Sequence, residues 1–212
     1  MTYPIYRYDI KQNSEEWLDI KIGMFSASPA DKLLSDKKTK GYCELISKIA
    51  EERVTGRRSD RSVFWGNKYT DRGHEFEPIA RDDFEFRTLN PVKLVGVVIK
   101  DEWSLCSPDG LIGNDGLHQI KCPIFSTQEE YLESAKTTND PKKIIGGGYY
   151  KQSQFELYVT GRDVNIWTAF HPHLRALDIE IVRDTEMLDM IHDRITEAQK
   201  EVLEQIERIK NL

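Results

Sequence analysis

The chain has no long apolar run. Its longest, Leu94 to Ile99, is far shorter than the roughly 20 residues of a membrane-spanning helix, so a helical membrane protein is excluded. Cysteine is scarce. Cys43, Cys106 and Cys122 are odd in number and lack metal-type spacing, which argues against a disulfide framework and against a zinc site. Met1 to Asp9 has no basic-then-apolar signal pattern, so the expected location is the cytoplasm. There is no internal repeat, low-complexity tract or long linker, and the expectation is a single domain over residues 1–212. An excess of positive charge is missing too. The net charge is −6, and bulk charge alone does not point to nucleic acid.

What is present is a globular composition, with 39% hydrophobic and 31% charged residues. Basic residues do cluster locally: Lys37, Lys38 and Lys40; Arg57, Arg58 and Arg61; Lys142 and Lys143. The plain reading of each cluster is a solvated loop, and the functional one is a nucleic-acid contact.

The hydrophobic spacing alternates between helix and strand. Ser14 caps a helix that carries Trp17 and Ile20 and ends at Gly23. Ser28 to Leu34 forms a short helix with Pro29 at its first position. Tyr42 to Val54 and Glu75 to Phe86 are helical, with Pro78 confined to the first turn of the latter. Val92 to Ile99 reads as one strand, and Ser104 to Cys106 and Leu117 to Lys121 as two more around the turn Pro108-Asp109-Gly110. Ile144 to Val159 is largely helical after Gly146-Gly147-Gly148. Asn165 to Phe170 and Ala176 to Val182 are strands. Asp184 caps a last helix with the stripe Leu188, Ile191, Ile195, Ala198, Val202 and Ile206. The order predicts an α/β fold with a central mixed β-sheet flanked by helices.

Chemistry concentrates between Ser107 and Pro123. Asp109 sits on a turn at a strand edge. Strand alternation places Gln119 and Lys121 on one face and sends Ile120 into the core. A carboxylate, an amide and an ammonium then converge. With Glu at 119 the stretch would read Pro-Asp followed by Glu-x-Lys. Two such carboxylates hold a hard divalent cation through oxygen, and the lysine orients the attacking water and offsets charge on a phosphate. The plain readings are a turn aspartate and an exposed strand lysine. Glu77 reads equally as a first-turn acid that suits the helix dipole. Gln154 and Tyr158 read as neighbours on an amphipathic helix.

Several blocks occur in order: Trp17…Lys21-x-Gly23…Ser26-Ala27-Ser28; Gly73-x-x-x-Glu77-x-x-Ala80; Cys106-Ser107-Pro108-Asp109-Gly110; Gln119-Ile120-Lys121-Cys122-Pro123; and Tyr149…Gln152-x-Gln154. Together they resemble the lambda exonuclease and viral recombinase (YqaJ-like) nucleases of the PD-(D/E)xK superfamily, over about Trp17 to Tyr158. The resemblance implies a restriction-endonuclease-like core. It implies Asp109 as first metal-binding acid, Gln119 where a metal-binding Glu is expected, a metal-facing Ile120 carbonyl and a catalytic Lys121. Glu77, Tyr149 and Gln154 would line the site. Lys21, Ser28 and Ser107 would receive the 5′-phosphate of a DNA end, with Lys21 standing in for an arginine and so lacking its bidentate fork.

The activity so implied is magnesium-dependent (manganese able to substitute) 5′ to 3′ degradation of double-stranded DNA, releasing mononucleotides and leaving a 3′ single strand for homologous recombination. The implied partners are duplex DNA ends, two further copies in a ring-shaped homotrimer, and a single-strand annealing protein. The implied setting is the cytoplasm of a bacterium carrying a phage or prophage. Gln119 breaks the pattern. The expectation is an altered Glu; a native Gln compensated by Glu77, or a non-cutting relative, are the alternatives. A non-catalytic duplex-end binding module and a restriction-type endonuclease are the competing functions.

Overall fold

The computed structural model describes residues 4–60 and 68–211. The strands form two mixed sheets where the sequence predicts one. The smaller sheet has the order β1 (Ile5–Arg7), β4 (Val97–Ile99), β5 (Ser104–Cys106), β2 (Phe25–Ser26). The larger has the order β3 (Val92–Lys93), β6 (Gly110–Ile112), β7 (Gly116–Lys121), β8 (Val164–Ala169), β9 (Leu177–Val182). Each has one parallel pair, β2 with β5 and β7 with β8. Parallel neighbours need a crossover. Between β7 and β8 it runs through α5 (Phe125–Thr137), α6 (Pro141–Ile145) and α7 (Gly147–Thr160).

The predicted strand Val92 to Ile99 is divided between the sheets, and Gly96 shows why. A Cβ there would lie 2.0 Å from the Ile10 carbonyl oxygen. The Gly96 N–H donates to the Arg7 carbonyl at 3.0 Å, and its own carbonyl accepts from the Trp17 indole at 3.1 Å. This close backbone approach turns the chain from β3 into β4.

Other boundaries also move. α1 (Glu15–Asp19) starts as predicted, with the Ser14 hydroxyl accepting from Trp17 N–H, but ends before Gly23, which occupies a later left-handed turn (φ 70°). α2 spans Ala30–Leu33 with Pro29 as its N-cap residue. α4 spans Lys68–Thr88, so Pro78 lies inside it and Glu77 is not in its first turn. Dipole complementation therefore does not explain Glu77; an i,i+4 pair with Arg81 at 2.6 Å does. The strands β1, β2 and β6 and the helix α5 lie outside the elements that the sequence predicts.

Two helices follow the sequence closely. α3 (Lys40–Thr55) ends at Gly56 in the left-handed conformation (φ 63°). α8 (Thr185–Lys210) is capped by Asp184 and buries all six residues of its predicted stripe.

The sheets position the site by what covers them. Leu117 and Phe155 belong to a core with residues of α3 and α8. Ala80 of α4 packs with Ile120 and Phe170. Ile144 and Ile145 of α6 and Tyr131 of α5 pack with Trp167 and Ile181. β7 is thus held between α4 on its Ile120 side and α7 on the other. Among the described residues no helix is long and apolar enough to cross a membrane.

Candidate active site

The turn after β5 delivers Asp109. Gln12 braces it by donating to the carbonyls of Val95 and Pro108, both at 3.0 Å. The Asp109 carboxylate accepts the Ile120 backbone N–H at 2.6 Å, which fixes it beside β7. Glu77 of α4 reaches the same place. Both carboxylates line one cavity of about 550 Å³, together with Ile120, Lys121, Tyr131 and Tyr149. A neighbouring cavity of about 920 Å³ shares His74, Glu77 and Asp109 and extends past Asn13 and Arg81.

The electrostatics are those of crowded anions. Burial first, then Asp109, pushes Glu77 up to about 7, against the pull of Arg81 and Lys121. Burial likewise raises Asp109, against Lys121, the Ile120 N–H and Arg81. Two hard-oxygen donors that resist ionising together are short of positive charge, which fits a divalent cation. Asp109, Glu77 and the Ile120 carbonyl are the oxygens that would hold it. No group of three His, Cys, Asp or Glu side chains among the described residues is placed to hold an ion, so water and substrate oxygens would complete the shell.

β7 alternation holds as predicted. Gln119 and Lys121 face α7, where Lys121 Nζ lies 5.5 Å from the Tyr149 ring centre. Gln119 is only 2% exposed. Its amide donates to Glu156 at 3.1 Å, and its oxygen accepts from the Ser153 hydroxyl at 3.0 Å.

α7 also corrects one assignment. Gln154 is not part of this cluster. Its side chain donates to the Val182 carbonyl at 2.8 Å and accepts from Asp184 N–H at 3.1 Å, tying α7 to the start of α8. Helical geometry puts it about 200° from Gln152 and Glu156. The face carrying Tyr149 continues instead through Gln152, Ser153 and Glu156. Sequence reasoning gave no role to Ser153 or Glu156, although a carboxylate between Phe155 and Leu157 was a visible signal.

A second set of residues lies along the parallel pair β2–β5. The register, Phe25 opposite Ser104 and Ser26 opposite Leu105, sends both chains to the same end of the sheet, where Ser28 and Ser107 follow. Ser28 is exposed. The Ser107 hydroxyl accepts from the Trp17 indole at 2.9 Å. Lys21 Nζ stands 3.1 Å over the Trp17 ring centre. Burial, then Lys48, pushes Lys21 down to about 7. Among the described residues no carboxylate pairs with it, so this half-buried amine is a ready counter-charge for an anion.

Each basic cluster has a member paired within the chain. Lys37 pairs with Glu197 and Glu201, Arg58 with Glu15 and Asp19, and Lys143 with Asp140. Arg61 lies outside the described residues.

A family model described as the YqaJ-like viral recombinase domain matches residues 16–163. The fold is similar to an alkaline exonuclease from Laribacter hongkongensis, at 27% identity and a TM-score of 0.79, covering 93% of this chain and 97% of that one. A complex of that exonuclease with dAMP gives a TM-score of 0.80 at the same identity and coverage. A phage-related exonuclease from Haemophilus somnus 129PT shares the fold at 18% identity and a TM-score of 0.70, over 88% of this chain and 96% of its own. No curated protein sequence matches significantly.

Proposed function

Since the chain belongs to the YqaJ-like viral recombinase family, we propose that it is a metal-dependent exonuclease acting on ends of double-stranded DNA. The observation that carries this reading is the meeting of Glu77, Asp109 and Lys121 in one cavity at the end of β7. Asp109 and Glu77, with the Ile120 carbonyl, would hold a magnesium ion, for which manganese would substitute. When bound, the cation offsets charge on the attacked phosphate and acidifies water. Lys121 orients the attacking water and adds positive charge beside the phosphate. Tyr149 forms the wall next to Lys121.

Lys21, Ser28 and Ser107 receive the terminal 5′-phosphate, which gives the reaction its 5′ to 3′ direction. The relative from Laribacter hongkongensis was also solved with dAMP. Release of nucleoside monophosphates, leaving a 3′ single strand, is the corresponding product for this chain. A ring-shaped homotrimer around DNA, an annealing protein as partner, and the cytoplasm of a phage-bearing bacterium complete the proposal by family resemblance.

The test is nucleotide release from linear 5′-phosphorylated duplex DNA with magnesium, against the same reaction with chelator and against closed circular DNA. Release from the linear substrate alone, lost with chelator, supports the reading. Cutting of circles makes it an endonuclease. Binding of duplex ends without release under any metal leaves only an end-binding module.

A further inference from the structure

Glu156 is a carboxylate to which the chemistry above gives no work. It lies on α7, 1% exposed, between the buried Phe155 and Leu157. Three side-chain amides converge on it: Gln119 at 3.1 Å, Gln152 at 3.2 Å and Asn165 at 2.8 Å. All three donate. A carboxyl group has lone pairs enough to accept from all three. Hydrogen bonds donated to it favour the ionised form. Burial and Asp109 act against this, pushing Glu156 up to about 8, while Lys121, Asn165 and Gln152 pull it down. Glu156 therefore feels the same two charges, Asp109 and Lys121, that make up the proposed reaction centre.

A purely structural tie between α7, β7 and β8 needs no charge. Amide-to-amide pairs would serve it without the cost of a buried anion. A buried acid calls for another account, and position 119 is where an acid is missing.

We infer that Glu156 supplies the acid missing at Gln119, so that the Gln119–Glu156 pair acts as one carboxyl group displaced from β7 to α7 and serves the cation held at Asp109 and Glu77. This inference rests on the metal-nuclease reading. Glu156 is a positioning residue, because it acts through Gln119 and through its field. The two positions constrain each other. Glu at both would oppose two buried carboxylates across about the present 3.1 Å. Gln at both would remove the acid. In this account Gln119 is the native partner of Glu156, and the compensating acid is Glu156 where the sequence suggested Glu77.

The test is calorimetric titration of magnesium and of manganese into the intact chain without DNA. It compares the native chain, Glu156→Gln, the swapped Gln119→Glu/Glu156→Gln chain and Asp109→Asn. Glu156→Gln is expected to weaken cation binding on the order of 10–100-fold, the usual effect of losing a group behind a metal ligand. The swap is expected to restore binding to within a few-fold, and Asp109→Asn to lose it. Native affinity in Glu156→Gln, with loss in Asp109→Asn, overturns the role of Glu156 and leaves the metal site standing. If Glu156→Gln does not fold by circular dichroism, the swap decides: a folded swap that binds supports the inference, and a folded swap that does not bind overturns it. A native chain that binds neither cation, or an Asp109→Asn chain that binds like the native one, removes the metal-nuclease reading and this inference with it.

Discussion

The Gln119 amide of β7 donates to the Glu156 carboxylate of α7 across 3.1 Å, in a place closed to solvent. Gln119→Glu alone should therefore destabilise the fold by about 3 kcal/mol at the alkaline pH where both carboxylates are ionised. The sign with pH follows from burial. A carboxylate raised in the folded state holds its proton where the unfolded chain has lost it, so protonation favours folding as pH falls through the folded value. Glu156 alone is already raised to about 8. The deficit of the variant should shrink as pH is lowered from 8 toward 5. Thermal melts of both chains across that range check this, and a deficit independent of pH counts against two opposed charges.

Lys121→Ala should lower nucleotide release by at least about a hundredfold, the scale of losing a group that stabilises developing charge. Duplex-end binding, read by fluorescence anisotropy with calcium in place of magnesium, should stay within a few-fold. Release at the native rate would remove Lys121 from the mechanism.

Ser28→Ala with Ser107→Ala should narrow the preference for 5′-phosphorylated over 5′-hydroxyl ends, measured by competition. Equal weakening for both ends would sink the pocket assignment. Lys21 adds a pH signature. It is held at about 7 when free, and a phosphate would draw it upward, so binding takes up a proton above that pH. The phosphate preference should fall as pH rises from 7 to 9, by at most about tenfold per unit. Lys21→Arg, charged throughout, should flatten the profile. A flat native profile would show that Lys21 is not the counter-charge.

His118 shares β7 with the site but faces α4. Its ring lies 4.2 Å from that of Phe84, and Nε2 bonds the Thr168 hydroxyl at 2.9 Å. Burial is the main force holding it down to about 4. A histidine lowered on folding contributes stability that is present above the unfolded value near 6.5 and lost as pH falls toward 4. Relative to His118→Asn, the native chain should lose up to about 3 kcal/mol between pH 7 and 4. Denaturant melts of both chains measure the difference, and parallel pH profiles would mean that His118 titrates normally.

Gly96→Ala should cost about 1–3 kcal/mol, since the obstacle is the Ile10 backbone and not the end of a flexible side chain. Urea midpoints check it. A neutral result would mean that the β3-to-β4 passage can widen.

Much of the fold was legible because burial follows helical spacing. The α8 stripe and the helical spacing of α3 are local patterns, and they match. The split of Val92 to Ile99 was not legible, because its cause is Ile10, far away in sequence. Pro78 misplaced the start of α4, since a proline is tolerated inside a helix when neighbouring packing holds the turn. At the site, β7 alternation correctly placed Gln119, Ile120 and Lys121. Gln154 was drawn to the wrong face because motif order carries no helical phase. Glu156 was missed because two of its three partners come from β7 and β8, and only the folded chain brings them together.

The two cavities share His74, Glu77 and Asp109. The acids therefore stand at a threshold between two rooms and not at the bottom of a well. A blind pit must empty by the door through which it filled. Under the proposed function, a cleaved unit would then have a way out distinct from the side on which the remaining strand lies.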